Sequence, residues 1–155
     1  MVTNESKRPS WDEYFMNIAE VVASRSRDPD KHVGAVIVKD NVISGVGYNG
    51  FPRNTMNKVD EELAFGLEPN TDLDKNDFTV HAEANAIINS TGDLKGATLY
   101  CTLFPCHECA KLIVQAGIKR IVFKDPWKPQ KRTVQLSKYI LSKCEVELVQ
   151  FNKEV

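Results

Sequence analysis

Four residues in this chain have the types and spacing of a metal centre with a proton-transfer group beside it. His81 and Glu83 stand in His81-Ala82-Glu83, and Cys106 and Cys109 stand in Pro105-Cys106-His107-Glu108-Cys109. One imidazole and two thiols suit zinc, and three protein ligands leave a tetrahedral ion one open position for water, which separates a catalytic site from a closed structural one. Water held there ionises far more readily than bulk water. Glu83, two residues from a ligand, is placed to take that proton and pass it to a ring nitrogen and a leaving amine. A four-ligand zinc knuckle would need His107, which as the neighbour of Cys106 on a helix points away from the face the cysteines share. A redox reading of the two cysteines leaves His81 and Glu83 unexplained.

The elements that must position these residues follow from pattern. From Val80 to Asn89 the alanines favour helix, so His81 and Glu83 fall in its first turn. Pro105 opens a second helix that Gly117 ends, and at its start the positive end of the dipole favours thiolates at Cys106 and Cys109. Ser10-Trp11-Asp12-Glu13 is a capping box, with Trp11, Tyr14, Phe15, Ile18, Val21 and Val22 forming an apolar stripe to about Ser24. Val33–Val38 and Val42–Tyr48 read as a hairpin whose first strand is buried on both faces. Strands at Ala97–Leu103, Arg120–Phe123 and near Val146 alternate with helices, the last of these from Thr133 to Ser142. That order predicts an α/β fold: a mixed sheet of about five strands flanked by helices, parallel except for the N-terminal hairpin. The stretch from Arg53 to Thr79 has no clear pattern beyond a helical turn at Glu61–Phe65, and its length suggests a covering or binding segment.

Composition narrows the function classes. The 155 residues suit a single domain over residues 10–155 behind a polar tail of residues 1–9, and the net charge of −1 gives no field to hold a long nucleic acid. No apolar run approaches a membrane span, and four cysteines without a leader-like start point to a reducing, cytoplasmic setting. Cys101 and Cys144 read as packing residues. Arg25-Ser26-Arg27 could hold a phosphate, and Trp127 could pack, line a site's mouth or meet another subunit.

His-x-Glu followed by Pro-Cys-x-x-Cys is the pattern of the zinc-dependent nucleobase deaminases. Over nearly its whole length the chain resembles the cytidine and deoxycytidylate deaminase family, and within it the deoxycytidylate branch. The resemblance rests on Ser10–Met16, Arg25-Ser26 with Asp28-Pro29, Val33–Val38, Gly47-Tyr48-Asn49-Gly50-Phe51-Pro52, His81–Ile87, Leu99–Cys106, Cys109–Lys111 and Gln115–Ile118. It implies a three-layer α/β/α cytidine deaminase-like fold and hydrolytic conversion of dCMP to dUMP and ammonia, feeding thymidylate synthesis. It also implies zinc on His81, Cys106 and Cys109, and Glu83 as the proton shuttle. Substrate contacts are expected from the Ala82 backbone N–H, Asn49, Phe104 and Pro105, with Ser26 and Arg27 near the 5′-phosphate. Family members are commonly hexameric and regulated by dCTP and dTTP, so a homo-oligomer with those effectors is expected.

Some members carry a second zinc site before the His-x-Glu motif, whereas residues 53–79 here contain no cysteine or histidine. One zinc per subunit is therefore expected. A deaminase of another substrate class within the same fold, or a noncatalytic zinc or nucleotide module, are the rival readings; an intact Glu83 beside an open zinc position speaks against the second.

Overall fold

A computed structural model describes residues 7–53 and 74–152. Among them, helix α1 spans Trp11–Ala23, and Ser10 caps it by accepting a hydrogen bond from the Glu13 N–H at 3.1 Å. Its buried face is Phe15, Met16, Ala19 and Ala23, while Trp11, Tyr14 and Val21 stay largely exposed. The helix is thus turned toward its alanine side relative to the expected stripe. The cause is close approach: a Cβ on Gly34 would lie 2.0 Å from the Ala19 carbonyl oxygen.

Strands β1 (Gly34–Lys39) and β2 (Val42–Tyr48) form the expected hairpin. Its two-residue turn, Asp40 and Asn41, has φ of 51° and 61°, the primed turn geometry whose twist matches the flanking strands. After it come α2 (Lys75–Phe78), α3 (Ala82–Asn89), β3 (Thr98–Leu103), α4 (His107–Gln115), β4 (Arg120–Asp125), α5 (Arg132–Lys143) and β5 (Glu147–Gln150). Helix α2, closed by an Asp74–Asp77 capping box, lies within the stretch that shows no pattern in sequence; the expected turn at Glu61–Phe65 lies outside the described residues.

The sheet order is β2-β1-β3-β4-β5. Here the expected topology needs one correction: β3 pairs antiparallel with β1 through Ala35–Cys101 to Val38–Thr98, so the hairpin is not the sole antiparallel pair. The crossover through α3 does make β3 run parallel to β2, but it carries β3 past β1 instead of onto the free edge of β2. Strands β3, β4 and β5 are parallel, as expected.

Alternation along β1 fills two cores. Ala35 and Ile37 join the larger one beneath α3, α4 and α5, and Val36 and Val38 join the smaller one beneath α1 with Phe15, Met16 and Tyr100. Each fully buried side chain of this size contributes about 1.5–3 kcal/mol, so both faces stabilise the strand that carries the site's neighbours. Three layers result. Asp12 ties α1 to the sheet, accepting from the Tyr100 hydroxyl at 2.6 Å and from both terminal nitrogens of Arg120. Cys101 is fully buried in β3, and Cys144, at the end of α5, packs against the larger core. Among the described residues no helix is long and apolar enough to cross a membrane.

Candidate active site and metal centre

Two helix starts converge at the end of the sheet. His81 is the residue that precedes α3, in extended conformation, and its side chain makes no capping hydrogen bond. The imidazole is therefore free for another task. Cys106 occupies the same place before α4, and its sulfur accepts from the Cys109 N–H at 3.5 Å. His81 Nδ1 lies 3.4 Å from the sulfurs of both Cys106 and Cys109, and the three donor atoms fall within 4.8 Å of one another. Bond lengths to tetrahedral zinc put a nitrogen and a sulfur ligand about 3.5 Å apart. The donor set fits that ion in type and spacing.

The electrostatics agree with a cation site. The Cys106 thiol is pushed down, first by its hydrogen bond with Cys109 and then, against some desolvation, by His81. Cys109 is pushed up by Cys106 and by burial, so without a cation the pair keeps one proton. The His81 imidazole is raised, first by Cys106. A dication would replace these protons, since zinc binds thiolates.

Glu83 lies within the first turn of α3 and is 4% exposed. Burial raises its carboxyl above the usual carboxylate range, against the lowering effect of its own backbone N–H and of His81. A carboxylate so placed is suited to trade protons near neutral pH. The helix that carries it is seated on glycine: a Cβ on Gly47 would stand 2.3 Å from the Ala86 nitrogen and 2.4 Å from the Ala82 oxygen. The Gly47–Pro52 segment thus sets how closely α3 rests on β2.

A cleft of about 480 Å³ opens over the site, with His81, Ala82, Glu83 and Cys106 at its floor and Asn49, Phe104, Trp127 and Lys131 among its walls. That volume is within the range for small-molecule sites. A second cleft of about 340 Å³ adjoins it and shares Asp28, Asn49, Lys75 and Thr79. In the shared wall, Lys75 reaches both Asp28 and Asp30 at 2.6 Å.

The residues singled out in sequence fall at different distances from this centre. Asn49 is buried and faces the metal cleft, its side chain accepting from the Val33 N–H at 2.9 Å and donating to the Lys31 carbonyl at 2.8 Å. Ser26 is buried beneath it, donating to the Asn49 carbonyl at 2.9 Å and accepting from the Asp28 N–H. Arg27 lines the adjoining cleft, together with Arg25 and Arg53, and does not line the metal cleft. Phe104 is buried edge-on to Phe123, and Pro105 is buried beside it, off the cleft wall. His107 is half-buried and not a free surface residue: its ring and its N–H both meet the Thr133 hydroxyl on α5, away from the metal donors. Residues not anticipated at the site include Lys31, Lys75, Lys128 and Lys131. The Pro126-Trp127-Lys128-Pro129 run, an aromatic in a basic connection, signals Lys128 and Lys131, and no local pattern signals Lys31.

Comparison with known proteins bears on this geometry. Residues 9–125 match the family model described as the cytidine and deoxycytidylate deaminase zinc-binding region. The chain is 46% identical over 142 residues to a probable deoxycytidylate deaminase of Drosophila melanogaster, covering 88% of this chain and 70% of the fly protein. It is 48% identical over 116 residues to the deoxycytidylate deaminase of Homo sapiens, covering 73% of this chain and 64% of the human one. It is also similar to the crystal structure of a dCMP deaminase from the cyanophage S-TIM5 in complex with dCMP and dUMP. The TM-score is 0.71 at 28% identity, covering 93% of this chain and 98% of that one.

Proposed function

The chain belongs to the cytidine and deoxycytidylate deaminase family, and we propose that it converts dCMP and water to dUMP and ammonia, supplying dUMP for thymidylate synthesis. The observation that carries this reading is the His81, Cys106 and Cys109 donor set with buried Glu83 beside it in one cleft. Zinc on those three residues supplies Lewis acidity that makes a water molecule acidic near neutral pH.

The chain's own groups do the rest. The Glu83 carboxylate takes a proton from the attacking water as its oxygen adds to C4 of the base, and delivers that proton to N3. A second transfer through Glu83, from the hydroxyl to the exocyclic nitrogen, lets ammonia leave and the C4 carbonyl form. The Ala82 N–H has no acceptor within α3, where the first helical bond runs from Asn85 to the His81 carbonyl; it donates to the base carbonyl. Asn49 positions the nucleoside from the wall, and Phe104 and Pro105 exclude water behind it. Ser26 supports Asn49 from beneath, and Arg27 gives the adjoining cleft positive charge.

By the same resemblance the protein works in the cytoplasm as a homo-oligomer, hexameric, with dCTP and dTTP as effectors. Four free cysteines support the first point, and the exposed apolar side chains Val42 and Ile43 on edge strand β2 and Ile88 on α3 support the second. The test is zinc content together with ammonia release from dCMP, dCTP, deoxycytidine and guanine. Release from dCMP in preference to the others is expected; zinc-replete protein active on guanine or deoxycytidine but not dCMP would overturn the substrate assignment.

A further inference from the structure

Helix α4 starts on a residue ill suited to cap it. The position before a helix commonly offers a side-chain oxygen to the free N–H groups of the first turn, but here it is held by Cys106, whose sulfur reaches the Cys109 N–H at 3.5 Å. A thiol needed for a metal cannot give way to serine or aspartate. The oxygen comes instead from another helix: the hydroxyl of Thr133, in the first turn of α5, accepts from the His107 N–H at 3.1 Å and lies 2.8 Å from Nδ1 of the same residue's ring.

The direction of each hydrogen bond around this hydroxyl follows from its neighbours. His107 Nε2 is 3.1 Å from Glu108 Oε1, and Lys111 Nζ is 2.7 Å from Glu108 Oε2. An ionised carboxylate only accepts, so in the neutral imidazole Nε2 carries the hydrogen and Nδ1 accepts from Thr133. The hydroxyl thus grips His107 twice, with a lone pair on the backbone and its hydrogen on the ring. The other end of the same turn is also held, by the Phe104 N–H donating to the Asp125 carbonyl at 2.8 Å. Both anchors belong to the connection from β4 into α5, where Trp127 takes a φ of 60° and donates its N–H to Asp125 Oδ1 at 2.7 Å. A bulky residue adopts that φ only where its surroundings impose it. Cys106 stands between the two anchors, and Cys109 two residues beyond the second.

We propose that Thr133 is a positioning residue for the metal centre, its hydroxyl fixing the backbone and ring of His107 so that the sulfurs of Cys106 and Cys109 are both held 3.4 Å from His81 Nδ1. This rests on the zinc and deaminase reading of that donor set. Thr133 does not line the metal cleft; it acts through His107. Donors fixed beforehand lose less freedom when the ion binds, and partners that orient metal ligands change affinity by about 10–100-fold.

Three variants of the full chain separate the hydroxyl from the packing around it. Thr133→Val keeps the shape and removes the hydroxyl, Thr133→Ser keeps the hydroxyl, and Val134→Ala loosens the buried face of α5 without touching it. Zinc affinity, measured by competition with a chromophoric chelator, should fall roughly 10–100-fold in Thr133→Val and stay within about threefold of the parent in the other two. The visible absorption of the cobalt-loaded chain, which reports ligand geometry, should change in Thr133→Val and match the parent in Thr133→Ser. With dCMP, Thr133→Val should lower kcat while KM changes less than about threefold. In a His107→Phe background, which lacks the ring acceptor, the effect of Thr133→Val should shrink. Parent affinity and spectrum in folded Thr133→Val, an equal loss in Val134→Ala, or no rescue by serine would overturn the role of Thr133. A parent chain that binds zinc with these differences but deaminates no nucleotide would sink the deaminase reading and keep the positioning role; a parent that binds no zinc would sink both.

Discussion

His81 Nδ1 lies 3.4 Å from the Cys106 sulfur across 25 positions of sequence, each residue standing immediately before the first turn of a helix. The His81 side chain makes no capping bond, and the Cys106 sulfur accepts the Cys109 N–H while still facing the imidazole, so both face a common point. The positive ends of two helix dipoles also meet there, which favours anionic sulfur and a buried carboxylate together.

Removing one donor should therefore cost the metal. His81→Ala and Cys106→Ala are expected to retain below about one-tenth of the zinc of the parent chain, which should hold one per subunit. Cys101→Ala, altered at a packing position, should keep it. Elemental analysis after dialysis against a chelator checks all three, and full zinc in His81→Ala would exclude that imidazole as a ligand.

Glu83→Gln should keep zinc and lose at least about 10²-fold in turnover. It should also stabilise the metal-free protein. Burial raises the Glu83 carboxyl above its unfolded value, so its contribution is present below the unfolded pKa and is lost as pH rises through the folded one; near neutral pH the ionised carboxylate opposes folding. The melting temperature of metal-free Glu83→Gln should exceed that of the metal-free parent at pH 7, with the gap closing as pH falls toward about 4.

Gly47→Ala should loosen the catalytic helix. Its Cβ would meet the Ala86 nitrogen at 2.3 Å and the Ala82 oxygen at 2.4 Å, both backbone atoms that cannot swing aside. Overpacking of this kind costs about 1–3 kcal/mol. Denaturant midpoints should fall accordingly, and an unchanged midpoint would show that α3 can shift without penalty.

The Asp12–Arg120 pair should make stability depend on acid. Arg120 holds the Asp12 carboxyl below its usual range by a two-pronged hydrogen bond, assisted by Tyr100. A carboxyl depressed in the folded state stabilises above its unfolded pKa of about 3.9 and loses that contribution as pH falls through the lower folded value. The midpoint difference between the parent and Asp12→Asn should therefore shrink from about pH 5 to pH 2. A constant difference would mean that the pair contributes by shape alone.

Much of this was legible in the chain itself, because local chemistry decides it. Ligand type and spacing marked His81, Cys106 and Cys109, and alternation and capping marked α1, the hairpin and the βα units. The Gly47–Pro52 run was visible too, although its meaning, a seat for α3 and a brace through Asn49, depends on contacts between segments. Three things were decided only by the tertiary structure. The place of β3 beside β1 follows from where the crossover lands, which no local pattern encodes. Ser26, adjacent to Arg27 in sequence, turns inward to hold Asn49 while Arg27 lines another cleft, a division set by contacts with the Asn49 segment. Lys31 and Lys131 gather on Trp127 only because the end of β4 delivers that indole to the mouth of the metal cleft. A lysine's sequence position says nothing of which cavity it will enter.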